Sequence, residues 1–243
     1  SKFGDSIAGM GTKMSAVVTA PLVGLGAASA SEFGNVDKSL KLVQQTMGST
    51  DAQAKTLESA IKSAASNSVF GMQDAADAAL NFARQGFDAA TAAAPAMDLA
   101  AGTATDLATV TSGVGNALKM FSDQGLKAND AADMLAKAQA QANTTVQDLF
   151  DSMSVAGPML DSVGWSFKDL AVITDVFGDA SISGSEGATA VKTGLARLAA
   201  PAKEGADAMK KLGLSFFDAN GKMDDMQTMQ KKLHDSFAGL SDK

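Results

Sequence analysis

The sequence predicts an all-α protein, a compact bundle or array of short helices with one small β-hairpin near the C-terminus. Three observations predict it. About a fifth of the 243 residues are alanine, the strongest helix former. Apolar residues recur at steps of three and four along most of the chain. Gly and Asp punctuate those runs at intervals that suit short helices rather than one long rod. The hairpin rests on a single stretch, Gly213–Met223, where an apolar run meets Asn220-Gly221. Asn-Gly tolerates positive φ at both turn positions, and a final helix follows it.

Composition changes divide the chain into an N-terminal helical segment over residues 1–70, a helical core over 71–212, and a hairpin with a final helix over 213–243. In the first segment Ser15–Ala30 is apolar and uncharged. Lys2 and Lys13 precede it, and Ala28-Ser29-Ala30 imitates a signal-peptidase site. The stretch is shorter than the roughly 20 residues of a membrane span. Three readings stay open: a small-residue helix broken at Pro21, a signal remnant, or a membrane-active segment. Because the chain begins with Ser, a fragment of a longer protein is expected. Gly24-Leu25-Gly26 makes a poor dinucleotide loop, since Pro21 spoils the strand before it and Ser29 stands where the third Gly belongs.

The helical stripes follow in order. They are Val36, Leu40, Val43 and Met47; then Leu57, Ile61 and Ala64; then Leu107, Val110, Val114, Leu118 and Phe121. Val146, Leu149, Phe150 and Met153 come next, followed by Leu170, Ile173 and Phe177, then Val191, Leu195 and Leu198. Met226, Met229, Leu233, Phe237 and Leu240 close the series. Helices this short are marginal alone and must gain stability by packing the stripe. Ser49-Thr50-Asp51, Asp88, Asp106, Asn129 and Asp224 stand before apolar runs, where a side-chain oxygen caps free amides. Ser183-Gly-Ser-Glu186 has the form of a capping box. Gly86-Phe87, Gly125-Leu126 and Gly164-Trp165 recur at equal spacing. That is either a helical-hairpin repeat of about 39 residues or three independent helix endings with Gly at C′.

The inventory excludes several classes of function. With no Cys there is no disulfide, thiol nucleophile or thiolate metal site, and a single His cannot build a histidine metal centre. A net charge of −7 argues against binding nucleic acid through its phosphates. Ser59-Ala-Ile-Lys62 and Lys192-Thr193-Gly194 match motifs of penicillin-recognising enzymes. The second motif, however, sits in a helical pattern, no Ser-x-Asn lies between the two, and no stretch supplies a sheet. His234 reads as a surface residue. The four Glu (Glu32, Glu58, Glu186, Glu204) are scattered through polar helix positions, unlike the facing carboxylates of a glycosidase. Asp218 and Asn220 fit the first spacing of a calcium loop, but its later ligands and closing Glu are missing. Trp165 reads as a core plug, and the 13 Met as gap-fillers that would also suit adaptable partner surfaces. No catalytic, cofactor or metal residue is assigned, and an assembly protein is expected rather than an enzyme.

A further set of segments follows a distinctive order along the chain. Thr19-Ala-Pro-Leu22 comes before an Ala-rich helix ending in Ser31-Glu-Phe33. Leu80-Asn-Phe-Ala-Arg-Gln-Gly86 precedes the Ala/Leu-rich Pro95–Ala108. Then follow Asp133-Met-Leu-Ala-Lys-Ala138, Val155-Ala-Gly-Pro158, Ser181-Ile-Ser-Gly-Ser-Glu-Gly-Ala188 and Gly213-Leu214 with Asp218-Ala-Asn-Gly221. This ordered set, which covers nearly the whole chain, resembles the core region of phage tail tape measure proteins, the length-determining minor tail protein family. The resemblance implies a non-enzymatic structural protein in the virion tail lumen that takes part in tail assembly, length determination and genome ejection. The partners it implies are tail tube, baseplate hub or tail chaperone proteins, with homo-oligomerisation and host-membrane contact during ejection left open. A membrane-active or pore-forming helical protein is the alternative.

Overall fold

The computed structural model describes residues 28–238. Among them the chain forms eleven α-helices. They are α1 Ala28–Met47, α2 Asp51–Ser66, α3 Met72–Arg84, α4 Ala89–Thr103, α5 Leu107–Met120, α6 Ala128–Gln141, α7 Val146–Ser162, α8 Phe167–Asp179, α9 Gly184–Ala199, α10 Lys203–Lys211 and α11 Met226–Phe237. A single 3₁₀ turn, Ser122–Gln124, follows α5.

Local chemistry sets the helix starts. Thr50, Thr145 and Ser166 each accept the amide three residues on, while the side chain at that position (Gln53, Asp148, Asp169) takes the cap's own amide. Such reciprocal boxes satisfy two of the four free amides of a first turn. Asp88 and Asp106 cap α4 and α5 as expected. Three cap assignments need correction. Asn129 lies inside α6, whose cap position is Lys127. Asp225, not Asp224, caps α11. Ser183 occupies the cap of α9 but makes no side-chain cap bond. The Gly184 amide instead lies 3.4 Å from Asp148 Oδ1 of α7, so a neighbouring helix serves where the local box was expected.

The helices α1 to α9 follow one packing rule: each lies against the next helix and the next but one. The odd-numbered helices therefore line up side by side as one layer, and the even-numbered ones as a second. Within the even layer α4, α6 and α8 begin at equal steps, at Ala89, Ala128 and Phe167, and α2 begins almost the same step earlier, at Asp51. The corner before each carries a glycine at positive φ: Gly48, Gly86, Gly125 and Gly164. At Gly86 and Gly164 the next amide turns back on the finished helix, Phe87 N donating to Phe82 O at 3.0 Å and Trp165 N to Leu160 O at 2.8 Å. A side chain at that left-handed position would be strained, which is why glycine stands there. Phe82, Phe121 and Leu160, each one helical turn before these glycines, are fully buried.

The core forms two connected volumes that meet at α3 and α4. In α4, Ala89, Ala93 and Met97 point into the N-terminal volume with α1, α2 and α3. Ala92, Ala96, Leu99 and Ala100 point into the volume shared with α5 to α8. Two stripes at helical spacing thus run along one helix, and its apolar character is nearly all-round because it is covered on both flanks. Polar pins join helices across the layers' steps. Ser39 donates to Asp77 at 2.9 Å, Asn81 to Thr111 at 3.1 Å, and Ser152 to the Gly184 carbonyl at 2.9 Å.

The C-terminal β-hairpin is not formed. Among the described residues there is no strand, and Gly213–Met223 contains one isolated antiparallel bridge, Phe217 to Met223. Competing partners explain this. Asp218 Oδ1 accepts the amides of Asn220 and Lys222 at 2.8 and 2.9 Å, closing a tight side-chain turn. The Ser215 carbonyl accepts Lys232 Nζ, and the Asp224 carbonyl accepts Trp165 Nε1, each at 2.9 Å. The bridge keeps two backbone bonds, Asp218 N to Lys222 O and Asp224 N to Phe216 O, and the next rung is lost because the Asp224 carbonyl takes Trp165 in place of Phe216 N. Phe216, Met223 and Met229 are buried in the main core with Trp165, and Asp224 and Lys222 lie against Trp165 and Gly164, so this segment packs on the corner between α7 and α8.

Candidate functional site

The residues with possible chemistry are not brought together. Ser59 and Lys62 lie on α2, Ser59 exposed and Lys62 ion-paired with Glu58. Lys192-Thr193-Gly194 lies on α9, which packs on α7 and α8, far along the array from α2. His234 is exposed on α11 beside Asp235. Glu186 and Glu204 are exposed on α9 and α10. Asp218 uses its carboxylate in the turn described above, and these hydrogen bonds, chiefly from Lys222, hold it below the usual carboxylate range. Among the described residues no group of three His, Cys, Asp or Glu is placed to hold a metal ion. Trp165 is the core plug expected, with one feature the sequence did not disclose, its indole tie to Asp224.

What the fold does build is a pair of unlike outer surfaces. The exposed positions of α4, α6 and α8 include Asp98, Asp130, Asp133, Lys137, Lys168 and Asp179. Those of α5 and α7 are Ala108, Ser112, Asn116 and Lys119, then Gln147, Ser154, Pro158 and Ser162. At the centre of the array α4, α6 and α8 are therefore charged and acidic in balance, while α5 and α7 carry one charge, Lys119, at their exposed positions. The other odd helices are charged, exposing Asp37 and Lys41 on α1, Asp74 and Arg84 on α3, and Glu186 and Lys192 on α9. Small uncharged polar groups lose less hydration on contact than carboxylates do, so the face of α5 and α7 is easier to cover than that of α4, α6 and α8. On α8 the acidic face also shows two exposed valines, Val172 and Val176. Asp175 lies beside them with Oδ1 buried and without a hydrogen-bond partner. Burial, and then the neighbouring Asp179, push its pKa up. Nothing in the local sequence marks Asp175; its environment depends on which helix α8 packs against.

Two clefts accompany these surfaces. One, of about 490 Å³, lies where the corners before α4 and α6 meet, between Phe87, Asp88, Leu118, Leu126 and Asn129. The other, of about 350 Å³, lies between α1 and α2 and is lined by Val36, Leu40, Leu57 and Met72. Among the described residues no helix is long and apolar enough to cross a membrane. The apolar stretch Ser15–Ala30, read as a broken helix, a signal remnant or a membrane-active segment, lies almost wholly outside the described residues.

Comparison with known proteins gives these surfaces a context. The chain is 29% identical over 243 residues to the tape measure protein of Pneumococcus phage Dp-1, an alignment covering 99% of this chain and 21% of the relative. It is 27% identical over 192 residues to a probable tape measure protein of Escherichia phage P2, covering 76% of this chain and 23% of that one. The chain thus spans between a fifth and a quarter of the length of these relatives. No solved structure matches it. The family described as phage-related minor tail protein matches residues 60–243, that is, from the middle of α2 through every later helix of the array and its closing segment. The chain belongs to the phage-related minor tail protein family.

Proposed function

We propose that this chain is a folded structural module of a phage tail tape measure protein, acting in tail assembly, tail length determination and genome ejection. The observation that carries this reading is the alignment of the whole chain with the tape measure protein of phage Dp-1. The module is not the measuring rod. As one continuous helix, 243 residues would span about 365 Å at roughly 1.5 Å per residue. Glycine corners fold this chain back on itself every few turns, so it contributes little length per residue.

In this reading the module resides in the tail lumen and performs no catalysis. The organisation expected from the sequence becomes part of the proposal: an N-terminal segment over 1–70, a core over 71–212 built on the helical-hairpin repeat, and a closing piece over 213–243. The nearly uncharged face of α5 and α7 contacts other tail proteins, the tube, baseplate hub or tail chaperones, or a second copy of the chain. The acidic face of α4, α6 and α8 weakens adhesion to DNA passing through the same tube, since no phosphate is neutralised and no counterion released there.

In-frame deletion of the module from a phage that carries it tests the reading. The expected result is loss of tail assembly or of infectivity, with any tails that form not shortened in proportion to the residues removed. Tails shorter by a length matching about 1.5 Å per deleted residue would identify the region as rod and overturn the module. DNA binding by the purified chain that persists at high salt would overturn the role given to the acidic face.

A further inference from the structure

The corners before α6 and α8 share one build but not one filling. Since α6 and α8 begin one repeat step apart, Leu126 and Ala128 are the counterparts of Trp165 and Phe167. At the corner before α8 both rings are buried, Phe167 in contact with Phe121, and Phe216 and Met223 of the closing segment lie in the same core. At the corner before α6 the smaller side chains leave the cleft of about 490 Å³ that runs between Phe87, Leu118, Leu126 and Ala128. Phe87 and Leu126 are only half-buried there. The first corner lacks the rings that fill the second.

We propose that this cleft takes Phe237 of a second copy of the chain, in a reciprocal dimer. Phe237 is 52% exposed and is the one aromatic among the large exposed apolar side chains of the described residues. The other apolar residues of its helix, Met226, Met229 and Leu233, pack into the core, so Phe237 stands out from α11 alone. An aromatic side chain seated in an apolar pocket is a common anchor of protein interfaces. Charge favours the same pairing. Phe237 is the last residue of α11, where the final carbonyls of a helix carry partial negative charge. The cleft lies at the start of α6, where the first amides carry partial positive charge and Lys127 makes no side-chain cap bond. Each copy offers one cleft and one ring, so two copies satisfy both and the contact closes on itself.

Sedimentation velocity of the full chain, over the range of about 10–300 µM in which weak interfaces close, is expected to show a shift from monomer to dimer. Phe237→Ser, and Ala128→Phe, which supplies the ring that α8 has at this position, are each expected to weaken dimerisation by about tenfold or more. Val176→Ser, at an exposed site away from the cleft, is expected to leave it unchanged. The chain has no cysteine, so a mixture of two single-cysteine chains, Asn129→Cys and Phe237→Cys, reports on the contact directly. Under mild oxidation the unlike chains are expected to link faster than either like pair, and this decides the point if Ala128→Phe disturbs the fold of the corner. A chain that stays monomeric across the range overturns the proposal, as does linking of unlike chains no faster than of like ones. So does a dimer that both substitutions leave intact, which would place the interface elsewhere, such as the face of α5 and α7. The inference does not depend on the tape measure reading and can fail without it.

Discussion

The two ends of the array are made of the same helical hairpin but filled with different side chains. In the N-terminal core volume the largest buried groups are Val43, Leu57, Ile61, Leu80 and Met97, set among Ala64, Ala75, Ala76, Ala79, Ala83, Ala89 and Ala93; the buried ring of α3, Phe82, belongs to the other volume. From α5 onward the core holds Phe121, Phe150, Trp165, Phe167 and Phe216, with Phe121 and Phe167 in tilted ring contact at 5.6 Å. Alanine lets helix backbones approach closely but buries little area per residue. An aromatic ring holds the helices further apart and buries far more. One packing rule therefore accommodates two fillings. The N-terminal end should tolerate small deletions of volume and yield early, whereas the aromatic end should anchor the fold.

The largest effect that sharpens this contrast is truncation of an aromatic plug. Phe121→Ala removes a fully buried ring and is expected to cost about 3–5 kcal/mol in urea unfolding. Ile61→Val, at the fully buried centre of the other end, should cost only about 0.5–1.5 kcal/mol. Equal losses would break the comparison. Next comes crowding between helices. A Cβ at Gly184 would meet the Asp148 carbonyl oxygen at 2.2 Å, an atom that cannot move without its helix, whereas nothing lies within 4 Å of a Cβ at Gly194. Gly184→Ala should therefore destabilise by about 1–3 kcal/mol, and Gly194→Ala should stabilise by about 0.5–1 kcal/mol. Thermal melts of the two variants in parallel check the sign.

Smaller effects come from single carboxylates, and their pH dependences run in opposite directions. Hydrogen bonds from Thr109, backbone first and then hydroxyl, hold Asp106 below the usual carboxylate range. Its cap is complete above the unfolded-chain value near 4 and is lost as pH falls through the lower folded value. Asp106→Ala should cost about 1 kcal/mol at pH 7, with the difference shrinking in acid. Asp175 is raised by burial and by Asp179, so its charge opposes folding at pH 7. That penalty lifts as pH falls through the raised folded value, and is gone below the unfolded value of about 4. Asp175→Asn should therefore melt higher than the parent at pH 7 and alongside it below about pH 4. A lower melting temperature at pH 7 would mean that the carboxylate has a partner in solution.

The local features of the fold were legible in the sequence, and the long-range ones were not. The stripe from Leu107 to Phe121 is the buried face of α5 with its 3₁₀ turn, because helical period and burial are two descriptions of the same geometry. Gly86 and Gly164 were readable as helix ends for a similar reason, since the corner is built from residues adjacent in sequence. The hairpin failed because Asn220-Gly221 is only a local preference. It lost to Lys232 and Trp165, which arrive from 17 and 59 residues away to bond Ser215 and Asp224. The cap of α9 was misread in the same way, its amide approaching Asp148 on another helix. The two-sided character of α4 gives no clean period, so nothing in that segment announced that it joins both cores. As for the site, Ser59, Lys192 and His234 lie on α2, α9 and α11, and their distance from one another in the fold is not a property of any local segment. The contrast between the charged face of α4, α6 and α8 and the nearly uncharged face of α5 and α7 stayed hidden, because it follows from the alternation of helices in space.

The central claim is that these helices form a one-dimensional array whose two ends differ in stability. Native-state hydrogen exchange across a urea series measures this most directly, helix by helix. Slowly exchanging amides of α1 to α3 should open at a lower free energy than those of α5 to α8, and Phe121→Ala should lower the second group while leaving the first unchanged. A single opening free energy shared by all helices, falling everywhere on Phe121→Ala, would contradict the array and describe one indivisible bundle.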